Sequence, residues 1–159
     1  MTRVYISVGS NLGDRFFYLS KARQLMLQQP GVRLVRVSPC FETEPEDTPE
    51  PQPLFLNSVW ELDTDLTPQE LRSLLQGLET RLGRERPYPN APRTLDLDIL
   101  IFGDLTIQEE NLTIPHPRLR DRLFVLKPLA VLAPKWKDPE TGAAVDRLLE
   151  VLLEGHSKS

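Results

Sequence analysis

The stretch Pro92-Arg93-Thr94-Leu95-Asp96-Leu97-Asp98-Ile99-Leu100-Ile101-Phe102 decides how the rest of the chain is read. It is short, rich in β-branched and large apolar residues, and closed by Gly103-Asp104, the signature of a β-strand. Alternation predicts Leu95, Leu97, Ile99 and Ile101 on one face, and Asp96, Asp98, Leu100 and Phe102 on the other. The Cα atoms of the two aspartates then lie about 6–7 Å apart, two strand rises. Aspartate is a poor strand former, and paired carboxylates repel and resist desolvation. A solvated strand face accommodates such a pair. So does a hard cation such as Mg²⁺, and two ions about 3.5–4 Å apart fit it. Arg84, Arg86 and Arg93 stand just upstream, and guanidinium forks suit phosphate oxygens. Arginines beside an aspartate pair point to a polyphosphate ligand.

Upstream, Val4, Ile6 and Val8 alternate with Tyr5, Ser7 and Gly9 as a first strand. Gly9-Ser10-Asn11-Leu12-Gly13-Asp14 turns the chain; its glycines could cradle a phosphate, but their spacing is not that of a P-loop. Asp14 is a candidate N-cap for a helix carrying Phe17, Leu19, Ala22, Leu25 and Met26, ended by Pro30-Gly31. Val32 to Ser38 reads as a second strand. A proline-rich loop is predicted from Pro39 to Pro53, a substrate lid or an acidic excursion. Phe55 to Asp63 is a third strand, with Phe55, Asn57, Val59 and Glu61 on one face. Asn57 among apolar neighbours needs a partner, from the protein or from a ligand. Thr67-Pro68-Gln69-Glu70 is a capping box with proline at the first helical position. Leu71, Leu74, Leu75, Leu78 and Leu82 follow as a stripe, and Gly83 stops the helix. Gln76 and Glu79 share another of its faces, either solvated or turned toward a site.

The order up to Phe102 is therefore β-α-β-β-α-β, the ferredoxin-like pattern, with both helices on one face of an antiparallel sheet. Downstream, Gly103-Asp104 suggests a two-residue hairpin turn into Leu105-Thr106-Ile107. Leu112 to Pro117 reads as extended, which leaves His116 between two prolines. An apolar run from Phe124 to Ala133 and a helix carrying Val145, Leu148, Leu149 and Leu152 complete an α+β fold with a C-terminal hairpin and helix extension, an α/β sandwich.

At 159 residues, 40% hydrophobic and 26% charged, one domain spanning 1–159 is expected. A net charge of −4 argues against a general nucleic-acid binder. The charge is uneven: Arg81, Arg84, Arg86, Arg93, Arg118, Arg120 and Arg122 occur with no lysine among them, whereas the acids from Glu42 to Glu50 have no base. The single cysteine, Cys40, precludes an internal disulfide and reads as a packing residue. No apolar run approaches a membrane span, and Met1-Thr2-Arg3-Val4 has no signal-peptide core, so a cytoplasmic location is expected.

Arg93-x-x-Asp96-Leu97-Asp98 resembles the signature of the 6-hydroxymethyl-7,8-dihydropterin pyrophosphokinase family of folate biosynthesis. The resemblance spans nearly the whole chain, from Gly9-Ser10-Asn11-Leu12-Gly13 through Thr43, Asn57 and Glu79 to Pro115-His116 and Arg122-x-Phe124. It implies an α/β sandwich with its site along one sheet edge, and transfer of a pyrophosphoryl group from ATP to the pterin hydroxymethyl oxygen, with AMP leaving. It implies two Mg²⁺ ions on Asp96 and Asp98, and Arg84, Arg86, Arg93 and Arg122 as the arginines that stabilise phosphate charge. By the same resemblance His116 contacts the ATP phosphates, and Gln76, Glu79, Ile99 and Thr113 line the nucleotide pocket. Asn57 reads the pterin amide edge, Thr43 adds a contact, and Phe55 and Phe124 sandwich the ring. The family's usual state is a monomer. Three positions depart from its pattern: Asn90 where Trp is common, Glu46-Asp47 after Thr43-x-Pro45, and Pro117 after the histidine. Read without the resemblance, His116 is a loop histidine bonded to a backbone carbonyl and both phenylalanines are core. The β-α-β-β-α-β order alone fits a non-catalytic regulatory module equally well, and another Mg²⁺-dependent nucleotidyl or phosphoryl transferase also fits the aspartates.

Overall fold

Two strand edges meet at β1 (Thr2–Ser10), which pairs antiparallel with β4 (Phe55–Thr64) on one side and β5 (Asp96–Phe102) on the other. The computed structural model describes residues 1–44, 51–83 and 94–157. β2 (Val32–Val37) joins the far side of β4, giving the order β2-β4-β1-β5, the expected ferredoxin-like arrangement. α1 (Arg15–Leu27) and α2 (Pro68–Arg81) cover one face, as their apolar spacing predicts. Leu19, Ala22, Leu25 and Met26 of α1 and Leu71, Leu75 and Leu78 of α2 pack there against Val4, Ile6, Trp60 and Leu97. Both N-caps form: Asp14 accepts from the Phe17 amide, and Thr67 and Glu70 close a reciprocal capping box. Phe17 is instead 55% exposed, because at 100° per residue it stands about 140° around the helix from Ala22.

The opposite face is covered by α3 (Leu123–Leu132) and α4 (Val145–Ser157). Leu119, Val125, Leu126, Leu129 and Val145 close a second core over Tyr5, Val59, Leu100 and Ile101. The strict alternation expected along β5 fails at its end. Tyr5 pairs with Ile101 and Ile6 with Ile99, so Leu100 is an extra residue in a β-bulge. Beyond it Ile101 joins the second core and Phe102 the first, the reverse of the simple pattern.

Three further expectations are corrected. Residues after Pro39 are not all loop: β3 (Phe41–Thr43) pairs with the start of β4. Pro39 cannot donate to the ladder, and Ser38 spans the break. Its amide donates to the Val59 carbonyl at 2.9 Å, and its hydroxyl accepts from the Val59 amide at 2.8 Å. The hairpin lies later than expected: Gly103-Asp104 turns the chain away from β5, and β6 (Ile107–Glu109) pairs with β7 (Leu112–Ile114) as a separate ribbon. Cys40 is exposed and does not pack in the core. No helix among the described residues is long and apolar enough to cross a membrane.

Glu61, 1% exposed, fastens α3 to the sheet. It accepts from Tyr5 Oη at 2.6 Å and from Arg36 Nε and Nη2 at 2.9 and 3.0 Å. Arg36 Nη2 also donates to the Leu132 carbonyl in the last turn of α3 at 2.7 Å. Arg36 holds the Glu61 carboxyl below the usual range despite its burial, whereas burial and Glu61 push the Tyr5 phenol up to about 12. A depressed folded carboxyl stabilises above the unfolded glutamate value of about 4.3, and this contribution disappears as pH falls through the folded value. Thermal melts on the acid side should therefore show a shallower dependence on pH for Glu61→Gln than for the parent, together with a lower melting temperature at neutral pH. Parallel acid profiles would remove Glu61 from the account.

Candidate active site

Register places the aspartates. Phe41 and Gly9 both face Asn57, and Gly9 faces Asp96, so one row runs Phe41–Asn57–Gly9–Asp96 across the sheet. Cross-strand partners share a face, and strands lie about 4.8 Å apart, so Asn57 and Asp96 flank Gly9 at a span of roughly 9–10 Å. The next row runs Val59–Ser7–Asp98. Gly9 permits close packing: an added Cβ would stand 2.8 Å from Asn57 Oδ1 and 3.5 Å from Phe55 Cδ1, so both side chains lie against the glycine. The row thus sets an amide and a carboxylate on either side of a residue without a side chain. Sequence places Gly9 at the end of the first strand and the start of a turn; a glycine closing a strand alternation is the signal there for a close approach.

Thr43 and Phe55 are paired on the same face, and Asn57 Nδ2 donates to Thr43 Oγ1. Asn57 is 3% exposed, and its amide has more bonding capacity than this one contact uses. Phe55 and Phe124 are only part-buried, unlike core phenylalanines. Phe124 opens α3, and the Arg122 guanidinium lies 5.3 Å from its ring centroid.

The second element is a cavity of about 730 Å³ beside the edge strand β5, of the size used for small-molecule sites. Gln76 and Glu79 of α2, Asp98 and Ile99 of β5, Thr113 of β7 and His116, all candidates from the sequence, line it. Arg72 and Asn111, which the sequence reading did not single out, line it as well. The outer edge of β5 is gripped twice. The Leu97 amide donates to Glu79 Oε2 at 2.9 Å, and the His116 amide donates to the Leu100 carbonyl at 2.9 Å. Ile99 stands between these grips, two residues from Leu97, so its backbone N–H and C=O point the same way, toward the cavity. Glu79, 6% exposed, thus has an anchoring contact inside the chain, whereas Gln76 is exposed.

His116 Nδ1 accepts from the Arg118 amide at 3.1 Å, which leaves the ring proton on Nε2. Burial pushes its pKa down, helped by Arg122 and opposed by Asp96. A neutral imidazole that donates from Nε2 suits a phosphate oxygen. Asp96 is part-buried beside Gly9, and Asp98 is exposed at the cavity. The two carboxylates therefore stand between the Asn57 row and the cavity, with His116 and Arg122 near Asp96. Arg84, Arg86 and Arg93 lie outside the described residues.

A cavity along the open edge strand, with the Asn57–Gly9–Asp96 row beside it, marks a ferredoxin-like domain with a candidate small-molecule site at its sheet edge. The profile of the family described as 7,8-dihydro-6-hydroxymethylpterin-pyrophosphokinase matches residues 5–134, and the chain belongs to that family. It is 45% identical over 143 residues to the 2-amino-4-hydroxy-6-hydroxymethyldihydropteridine pyrophosphokinase of Bacillus subtilis (strain 168), covering 90% of this chain and 85% of that one. The protein of the same description from Pseudomonas aeruginosa is 43% identical over 153 residues, 96% of this chain and 94% of the other. Among solved structures, the HPPK-DHPS of Plasmodium falciparum with pteroate superposes with a TM-score of 0.81 at 14% identity. There 99% of this chain is covered and 43% of the longer one, a likeness of fold.

Proposed function

We propose that the protein transfers a pyrophosphoryl group from ATP to the hydroxymethyl oxygen of 6-hydroxymethyl-7,8-dihydropterin, giving AMP and the pterin diphosphate in folate biosynthesis. The row Asn57–Gly9–Asp96 supports this reading: it sets a group able to read an amide edge and a carboxylate on one sheet face, two strands apart. The pterin binds beside this row, its amide edge at Asn57 and Thr43, its faces toward Phe55 and Phe124. ATP lies in the cavity, its base at the edge backbone of Ile99 beside Gln76, Glu79 and Thr113. Its phosphates run toward His116, Arg122 and Asp98, where Arg84, Arg86 and Arg93 add positive charge. The hydroxyl oxygen attacks the β-phosphorus, the bond from that phosphorus to the bridging oxygen of AMP breaks, and the hydroxyl proton is released. His116 donates Nε2–H to a phosphate oxygen, and the arginines balance charge on the leaving AMP.

Asp96 and Asp98 fit Mg²⁺. Among the described residues no cluster of three or more His, Cys, Asp or Glu could hold a metal, so these residues offer a carboxylate pair and no closed cage. That is the donor set of Mg²⁺ held by one or two carboxylates together with substrate phosphates and water. Two bound ions would neutralise phosphate charge and polarise the attacked phosphoryl group. The protein acts as a monomeric, cytoplasmic, single-domain enzyme.

Incubation with ATP, Mg²⁺ and the hydroxymethyl pterin should yield AMP in equal amount to pterin consumed. Chelation should stop the reaction and added Mg²⁺ should restore it. ADP as product, or AMP formed without the pterin, would overturn the assignment.

A further inference from the structure

We infer that Asp138, acting through Arg120, is a positioning residue for the turn that presents His116 and Arg122 to the phosphates; this rests on the activity proposed above. The turn spans only seven residues, 116–122, and includes the 3₁₀ segment Leu119–Asp121. On its inner side Leu119 is fully buried in the second core, and the His116 amide is bonded to Leu100. Within the turn, the Leu119 amide donates to the His116 carbonyl at 3.1 Å and the Asp121 amide to the Arg118 carbonyl at 3.3 Å. At the far end the Arg122 carbonyl accepts from the Val125 and Leu126 amides at 3.1 and 3.0 Å, so both ends of the turn are held and its middle rests on short 3₁₀ bonds of poorer geometry.

Arg120, midway between Arg118 and Arg122, adds a side-chain anchor to the middle of the turn. Its Nε donates to Asp138 Oδ2 at 2.8 Å and its Nη2 to Asp138 Oδ1 at 3.0 Å, a two-point fork that fixes orientation as well as distance. Asp138 is 0% exposed, and each of its oxygens has a second donor. The Glu140 amide reaches Oδ1 at 3.1 Å, and Thr141 Oγ1 reaches Oδ2 at 2.9 Å. The receiving carboxylate is itself held in a closed loop. The Gly142 amide donates to the Asp138 carbonyl at 2.7 Å, the Asp138 amide to Ala143 at 2.9 Å, and the Val145 amide to Trp136 at 2.9 Å where α4 begins. Neither Arg120 nor the 138–142 loop lines the cavity, so the pair works through the residues on either side of Arg120 and not by contact with substrate. A fully satisfied buried carboxylate gripping the middle of a ligand-facing turn is the supporting layer a precise phosphate site requires.

Asp138→Asn keeps the volume but puts an amide donor against the guanidinium. Arg120→Lys keeps the charge but loses the fork. Both variants should be assayed at saturating ATP and pterin, below their melting temperatures. Asp138→Asn should lower kcat by about 30-fold, the size of effect a sub-ångström misplacement produces, with the KM for pterin within about twofold of the parent. Arg120→Lys should fall between the two, and the double variant should be no slower than Asp138→Asn alone. Lower melting temperatures with kcat within twofold of the parent would mean the pair only stabilises the fold, and would overturn the inference. Independent, multiplicative losses in the double variant would overturn it as well. Should Asp138→Asn not fold, Arg120→Lys and Arg120→Gln decide by the same split between kcat and KM. Wild-type protein that forms no AMP would instead refute the proposed activity, and the positioning role with it.

Discussion

Asp98→Ala is expected to abolish turnover, by about 10³-fold or more, while pterin binding stays measurable. A loss of that size is on the order of 4 kcal/mol in barrier, within what loss of metal-assisted charge neutralisation removes. The substitution is clean because Asp98 is exposed, on the row of Ser7 rather than among the core residues. The proposed pterin contacts lie elsewhere, on β3, β4 and α3, so binding and chemistry should separate. Calorimetric titration with pterin alongside single-turnover AMP release checks both parts. A variant that keeps more than about a tenth of the parent rate has lost under ~1.4 kcal/mol, which is too little for a metal-holding carboxylate.

Asn57→Ala should weaken pterin binding by roughly 30-fold, about 2 kcal/mol, and leave the affinity for a nucleotide analogue within twofold. The side chain is 3% exposed, so a ligand amide left facing alanine has no nearby water to replace the lost bonds. Thr43→Val tests the route, since Thr43 accepts from Asn57 and orients its amide. It should weaken pterin binding in the same direction by a smaller factor. Equal losses of pterin and nucleotide affinity in Asn57→Ala would show a collapsed site and would sink the reading of Asn57 as the pterin reader. Unchanged pterin affinity would sink it too.

Much of the fold was legible because its signals are local. Thr67-Pro68-Gln69-Glu70 carries its whole capping geometry within four residues, and the Leu71, Leu75, Leu78 stripe needs only the 3.6-residue period. The candidate site was singled out through its chemistry, since an aspartate pair in a strand calls for either solvent or a cation wherever the strand lies. Other features were not local. The bulge at Leu100 exists only against Tyr5 and Ile6, so the swap of Ile101 and Phe102 between cores could not be read from β5 alone. β3 was hidden by prolines on either side of it, and its pairing depends on the Ser38 hydroxyl standing in for a broken ladder. Pro128 lies inside α3, where sequence rules favour an end; burial of Val125, Leu126, Leu129 and Leu132 offsets its missing bond.

The amino-acid order by itself determined the element types, the β-α-β-β-α-β succession and the pairing of two carboxylates on one strand face, because periodicity, caps and charge repulsion act over a few residues. Only the tertiary structure decided that Gly9 stands between Asn57 and Asp96 in one cross-strand row, that β5 is the edge strand beside the cavity, and that Asp138 holds the turn bearing His116 and Arg122. Each of these joins residues distant in sequence, and cross-strand register and packing against other elements fix such distances.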